Sequence, residues 1–327
     1  MKILVTGGAG YIGSHAVKLL TSVHDVTVFD NLSTGNAWAV LGGARLVVGD
    51  LDDDKTLSSL FDQGNFDAVM HFAASIVVPE SVKDPLKYYA NNTCNMLNLL
   101  EQVARCGVRY FVFSSTAAVY GIPPTATVSE DTPLAPINPY GASKMMSERI
   151  LGDFAAAEAL KYVALRYFNV AGADPRARIG QATPNATHLI KVACETALGR
   201  RPGMDIYGTD YPTADGTCIR DYIHVEDLAE AHVLALNHLA GGSRNEVMNC
   251  GYGHGFSVRE VLAAVERVAG CTLTVSEGPR RAGDPPALVA DSRRIRAAFD
   301  WRPRYDDLDQ IVRHALAWER VNPVTSK

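Results

Sequence analysis

Short, continuous apolar runs alternate with amphipathic stretches through the first 170 residues, and this alternation restricts the fold more than any other feature of the chain. The runs are "KILVT", "DVTVFD", "ARLVVGD", "FDAVMHFAA", "RYFVFSS" and "YVALRYFNV". Strands this rich in β-branched and aromatic residues, with no polar alternation, are buried on both faces as in a parallel sheet. The spacing between them predicts helices over Ile12–Ser22, Lys55–Gln63, Pro85–Arg105 and Pro139–Ala159. A strand–helix–strand order with right-handed crossovers gives a doubly wound parallel α/β sheet.

After Gly172 the texture becomes loop-rich, in "GADPRARIGQATPNATH" and "GTDYPTADGTCIRDY", with helices expected at Leu189–Leu198, Asp227–His238, Ser257–Val268 and Leu308–Arg320. At 327 residues the chain exceeds one ordinary domain, and we expect a main domain over residues 1–172 and a smaller α/β lobe over 173–327. The boundary is interwoven, because "EVMNC" and "TLTVSE" read as late strands, some able to rejoin the main sheet.

With 47% apolar and 20% charged residues, the chain can bury a full core without disulfides or a structural metal. Its six cysteines lie far apart with no Cys-x-x-Cys spacing, which argues against a zinc site or a disulfide framework. A net charge of −5, spread without long single-sign runs, excludes nucleic acid and anionic membranes as expected partners. "MKILVTGG" runs straight into a strand, and no apolar run reaches the roughly 18 to 20 residues of a membrane span. A cytoplasmic protein is expected.

The stretch "VTGGAGYIGSH" ends the first strand and opens the first helix, so Gly8, Gly10 and Gly13 satisfy Gly-x-Gly-x-x-Gly, and Gly7 adds the Gly-x-x-Gly-x-x-Gly alternative. Such glycines let the backbone approach a pyrophosphate at the positive end of a helix. Asp30 follows Gly13 by 17 residues, at the end of the second strand, where a carboxylate accepts bonds from ribose hydroxyls. That arrangement favours NAD over NADP, since "DNLSTGN" has no arginine to neutralise a 2′-phosphate. Asp50 suits either an adenine contact or a turn.

In "NPYGASK", Tyr140 and Lys144 are four residues apart on one helical face. A phenol is a poor base near neutral pH, but a neighbouring ammonium and a cationic nicotinamide both favour phenolate. Tyr140 then serves as general base toward a substrate hydroxyl, with Ser115 or Thr116 bonding the same oxygen. Each residue alone also has an ordinary structural reading, as packing, a solvated charge or a helix cap.

These motifs, with "FSSTAAVYG", "LRYFNVAGA", "IYGTDYPTADGTCIRDYIHVEDLA" and "RRAGDPPALVAD", resemble the extended short-chain dehydrogenases/reductases and, within them, the UDP-glucose 4-epimerases, over nearly the whole chain. The resemblance implies a Rossmann domain, a UDP-sugar substrate of galactose metabolism and a homodimer built on the helices at Pro85–Arg105 and Pro139–Ala159. It implies oxidation of the sugar at C4 by bound NAD and return of the hydride to the other face. Thr116 takes the catalytic hydroxyl position, and Lys144 holds the ribose and lowers the tyrosine pKa. The cofactor set it implies comprises Gly7, Gly10, Tyr11, Ile12 and Gly13, then Asp30, Asn31, Ser33, Thr34 and Gly35. Asp50, Leu51, Phe72, Ala73, Ala74, Asn91, Ser114, Tyr140, Lys144 and Phe168 complete it.

Toward the nucleotide sugar the resemblance assigns Arg220, Arg281 and Asn169 to phosphate, Asp284 to the uridine ribose, Tyr207 to the uracil, and His188 and Leu189 to the nucleotide, beside Thr116 and Tyr140. Related 4,6-dehydratases carry an acidic pair where this chain has Ala117 and Ala118, which points away from elimination. A non-catalytic NAD-binding regulator would typically lack the Tyr or the Lys. Two departures remain: Ile76 stands where a lysine near the cofactor is common, and Leu288 where a bulky aromatic often closes the sugar pocket. The smaller Leu288 makes room for a 2-acetamido group, so activity on UDP-N-acetylglucosamine is also expected.

Overall fold

The computed structural model describes residues 1–184, 186–281 and 283–324. Its main sheet has seven strands in the order Glu246–Cys250, Lys161–Tyr167, Tyr110–Thr116, Ala68–His71, Lys2–Thr6, Asp25–Asp30, Arg45–Val48, with every neighbouring pair parallel. Successive side chains leave opposite faces of a strand, so the sheet divides two cores. Ile3 and Val5 join one with the helices Tyr11–Leu20 and Val225–Ala240, while Leu4 joins the other with Asp54–Gly64 and Asn95–Arg105. Helix Pro139–Ala157 covers the second face; it starts where the sequence places it, with Pro139 in its first turn and the Asn138 carboxamide oxygen accepting from the Gly141 N–H at 2.9 Å.

From Lys2–Thr6 the chain winds outward through Asp25–Asp30 and Arg45–Val48, then returns to the other side of the first strand at Ala68–His71. The loops after the first and fourth strands therefore part, and the crevice between them is where doubly wound sheets bind ligands. Gly7 sits at this point with φ +72°, and a Cβ there would lie 2.5 Å from the Ala73 nitrogen.

A second sheet has four strands, Phe256–Ser257, Ile219–Arg220, Ala287–Ala290 and Thr127–Val128. Chain segments cross the expected division at residue 172 in both directions. Thr127–Val128 joins the late sheet, and Glu246–Cys250 becomes an edge of the main one. The other late run does not rejoin: Val275–Gly278 pairs with Met204–Tyr207 as a separate ribbon.

The single helix expected at Pro85–Arg105 is interrupted. A π turn at Ala90–Cys94 separates Pro85–Tyr89 from Asn95–Arg105. Its cause is the buried Asn92, whose carboxamide takes the Ser75 N–H at 2.8 Å and donates to the Ser75 carbonyl and the Ser143 hydroxyl, both at 3.0 Å. Periodicity also gave no sign of the short helix Val78–Lys83 or the 3-10 turn Ala117–Tyr120.

Candidate active site

A cleft of about 720 Å³ runs along the C-terminal ends of the strands. On one side lie Gly7, Gly10, Tyr11, Ile12 and Gly13, followed by Asp30, Asn31, Ser33, Thr34, Asp50 and Leu51. Helix Tyr11–Leu20 begins here with no side-chain cap on Gly10, so its first N–H groups and positive dipole end face the cleft. At Gly13 a Cβ would fall 2.3 Å from the Gly7 carbonyl oxygen; no other residue fits between loop and helix.

Each carboxylate oxygen of the buried Asp30 accepts one backbone N–H, from Ala9 and from Leu32, both at 2.9 Å. An ionised carboxylate offers about four acceptor sites, so acceptor capacity remains beyond these two bonds. Burial pushes the Asp30 pKa up, opposed by the Leu32 and Ala9 N–H groups. Gly35 stands behind this group, its absent Cβ leaving room 2.9 Å from an Asp30 oxygen, rather than lining the cleft. Asp50 is held by the Asn31 carboxamide at 2.7 Å. Phe72, Ala73, Ala74, Asn91 and Phe168 also line the cleft. An uncapped helix end, glycines that a Cβ would obstruct and a carboxylate with spare acceptors together fit a dinucleotide.

Thr116 and Tyr140 occupy the opposite wall, with Ala117 and Ala118 beside them. Burial raises the Tyr140 phenol above its ordinary pKa, and the Thr116 hydroxyl pulls it down. Lys144 lies beneath: its Nζ donates to the Ser114 carbonyl at 2.9 Å and sits 4.8 Å from the centre of the Phe113 ring. Burial drives this ammonium down to about 7, against the pull of Glu148. Lys144 forms no hydrogen bond with the phenol and does not figure among the causes of its shift, so the lowering expected from the lysine is not seen in this arrangement.

Of the two hydroxyls at the strand end, Thr116 alone faces the cleft. Ser115 turns into the core, where its hydroxyl donates to Glu148, itself paired with Arg166 at 2.6 Å. The alternation of side chains along Tyr110–Thr116 forces this: neighbours on one strand point to opposite faces. The Ser114 hydroxyl donates to the Tyr167 hydroxyl at 2.9 Å.

Asn169, His188, Arg220, Asp284 and Leu288 line the cleft from separate, later segments of the chain. Arg220 and Leu288 are register partners on adjacent strands, and an Arg220 Nη reaches Asp284 at 3.4 Å. His188 stands at the start of helix Leu189–Ala197 without capping it, its Nδ1 lying 2.7 Å from the Gln181 carboxamide nitrogen. Leu189 faces a smaller adjoining cavity that it shares with Tyr11 and Asn169. Tyr207 and Arg281 remain at the rim, outside the cleft lining, with the guanidinium 3.9 Å from the centre of the ring.

Sequence reasoning missed Gln181 and Thr183, which line the substrate side, and Val77, Val78, Glu80 and Lys87, which line the wall near Ile76. Gln181 lies in irregular chain without periodicity. Val78 and Glu80 belong to the helix that periodicity did not show, Val77 stands just before it, and Lys87 lies in Pro85–Tyr89.

Comparison with known proteins places residues 3–251 in the family described as NAD dependent epimerase/dehydratase. The chain is 58% identical to a UDP-glucose 4-epimerase of Azospirillum brasilense, over 98% of its own length and 92% of the relative's. A solved UDP-glucose 4-epimerase from Brucella ovis in complex with NAD superposes with a TM-score of 0.93 at 45% identity, covering 96% of this chain and 97% of that one. The UDP-Glc/GlcNAc 4-epimerase of Campylobacter jejuni superposes with a TM-score of 0.86 at 50% identity, covering 98% and 99%.

Proposed function

The chain belongs to the NAD dependent epimerase/dehydratase family, and from that premise we propose how its cleft interconverts UDP-glucose and UDP-galactose. Its activity is NAD-dependent 4-epimerisation of a UDP-sugar. The glycine loop and the helix end at Tyr11 hold the cofactor's pyrophosphate, and Asp30 takes the ribose hydroxyls. Bound NAD supplies a reversible hydride acceptor at the sugar's C4.

Tyr140, as phenolate, takes the proton of the sugar's 4-hydroxyl while Thr116 donates a hydrogen bond to the same oxygen. Lys144, anchored on the Ser114 carbonyl, gives the phenol no hydrogen bond in this arrangement, and its part in this reading is toward the cofactor ribose. The 4-keto sugar then turns within the cleft and presents its other face, and Tyr140 returns the proton to the oxygen as C4 is reduced again. No net redox change results. Arg220 and Asn169 hold the diphosphate, with His188 nearby; a guanidinium fork suits phosphate oxygens. Asp284 takes the uridine ribose, Tyr207 the uracil and Arg281 the phosphate, the last two from outside the cleft lining.

The observation that carries this reading is Tyr140 beside Thr116 in a cleft where Ala117 and Ala118 follow, with no carboxylate at either position. Water elimination from C5 and C6 would need a further acid and base there. The buried Leu288 in the cleft wall supports acceptance of UDP-N-acetylglucosamine as well, a substrate range that the Campylobacter relative carries in its description. A homodimer is supported by the exposed apolar side chains Leu86, Leu97 and Met146 on the helices expected to form it. Six unpaired cysteines support a cytoplasmic setting.

Proton NMR of the purified protein with UDP-glucose in deuterated buffer, without added NAD, tests the reading. UDP-galactose with protium at C4 is expected; a new C6 methyl signal would identify a dehydratase instead, and no change after NAD is added would remove the assignment.

A further inference from the structure

Trp38 is 38% exposed, large for an apolar ring, and lies in the 3-10 turn Ala37–Ala39 just beyond the ribose-side loop at Asn31–Gly35. Its ring packs at a tilt against Trp318, with centroids 5.6 Å apart and planes 33° from parallel. Trp318 belongs to the last helix, Leu308–Val321, and is 3% exposed. On its other side the same ring lies against Gly180, where a Cβ would fall 2.5 Å from Trp318 Cγ. Its indole N–H donates to the Gln181 carbonyl at 3.1 Å.

One indole thus spans the two ligand sites. Trp38 is continuous with the loop that faces the cofactor ribose. Gln181 lines the substrate side and bonds His188, at the start of helix Leu189–Ala197. The next residue of the last helix strengthens the second attachment: Glu319 accepts from Lys191 of that same helix at 2.6 Å. Packed rings hold a surface loop by shape and area, and they lose that hold when one ring is removed.

We propose that Trp38 and Trp318 form a clasp that makes Trp38 a positioning residue, coupling occupancy of the UDP-sugar site to retention of NAD. The clasp rests on the reading of the cleft as joined NAD and UDP-sugar sites. A nucleotide seated against Gln181 and His188 fixes those two residues and, through Trp318, holds Trp38 and the ribose loop in place. Coupling between sites is reciprocal, so bound NAD tightens UDP by the same factor.

The test uses the NAD-loaded protein and UDP itself as probe. Equilibrium dissociation constants for NAD are measured with and without saturating UDP, in wild type, Trp38→Ala and Trp38→Phe. In wild type, UDP is expected to tighten NAD by at least about fivefold, the lower range of measured couplings. In Trp38→Ala that ratio falls toward one, with UDP affinity of the NAD-free protein within twofold of wild type, and Trp38→Phe recovers part of the ratio. Tryptophan emission gives a second readout: UDP shifts it in wild type and not in Trp38→Ala. An unchanged ratio in Trp38→Ala, or no coupling in wild type, would overturn the clasp alone. A chain that held neither NAD nor UDP would overturn the site assignment and the clasp with it.

Discussion

Between Gly7 and Asp30 the cleft presents backbone N–H groups and one carboxylate, all from a single strand–helix–strand unit. Across from it, Asn169, His188, Arg220, Asp284 and Leu288 come from separate segments brought together by strand pairing between distant parts of the chain. The first kind of site is set by backbone geometry, where a glycine is required because a Cβ has nowhere to go. The second is set by side-chain identity, and changing one residue there alters which sugar fits without altering the frame. Both groups meet at the cleft that Tyr140 and Thr116 also line.

That junction is where a single substitution should do the most damage. Tyr140→Phe removes the proton acceptor and leaves the ring packing, so kcat should fall by about 10² to 10⁴-fold, the usual worth of a positioned general base. Steady-state rates together with NAD content of the purified variant check this; the NAD content should not change.

Gly13→Ala attacks the backbone side. The new methyl meets the Gly7 carbonyl oxygen at 2.3 Å, so loop and helix must separate, and NAD affinity should fall by at least about tenfold, or 1.4 kcal/mol. Titration calorimetry of the NAD-free protein measures this, with UDP affinity as the internal control for the other half.

On the side-chain half, Leu288→Tyr fills the pocket wall. The ratio of kcat/KM for UDP-N-acetylglucosamine to that for UDP-glucose should fall by about tenfold, in line with a small steric difference in a pocket. An unchanged ratio would remove Leu288 from the specificity wall.

The smallest effect concerns Lys144, whose pKa in the fold is about 7 against 10.5 for a free lysine. Because the folded value is the lower one, the unfolded chain binds more protons between those limits, and stability rises with pH across them. The cost of burying the ammonium is complete below pH 7 and fades toward 10.5. Lys144→Met should therefore compare most favourably with wild type at a pH of about 6, and lose that relative advantage by a pH of about 9 to 10. Thermal unfolding of the NAD-free proteins at the two pH values checks the sign.

What could be read in the sequence follows the same division. The sheet, the glycine loop, Asp30 and the Tyr140–Lys144 pair are local patterns, and each sits where its spacing places it. Ser115 and Thr116 could not be separated from residue types alone; strand alternation and the buried Glu148–Arg166 pair decide between them. The π turn at Ala90–Cys94 depends on Asn92 reaching Ser75 and Ser143, contacts between distant segments that no local period records. Gln181 and the Trp38–Trp318 pair have the same cause: they exist only once the last helix has packed against the first lobe.

Hydride transfer at C4 is tested with UDP-glucose deuterated at that carbon, in ordinary water, with the purified protein and no added cofactor. UDP-galactose with deuterium retained at C4 is the expected product, because the hydrogen leaves and returns as hydride within one closed site. Replacement of that deuterium by protium from solvent would mean that C4 loses a proton rather than a hydride, and would contradict the roles of Tyr140 and the dinucleotide cleft.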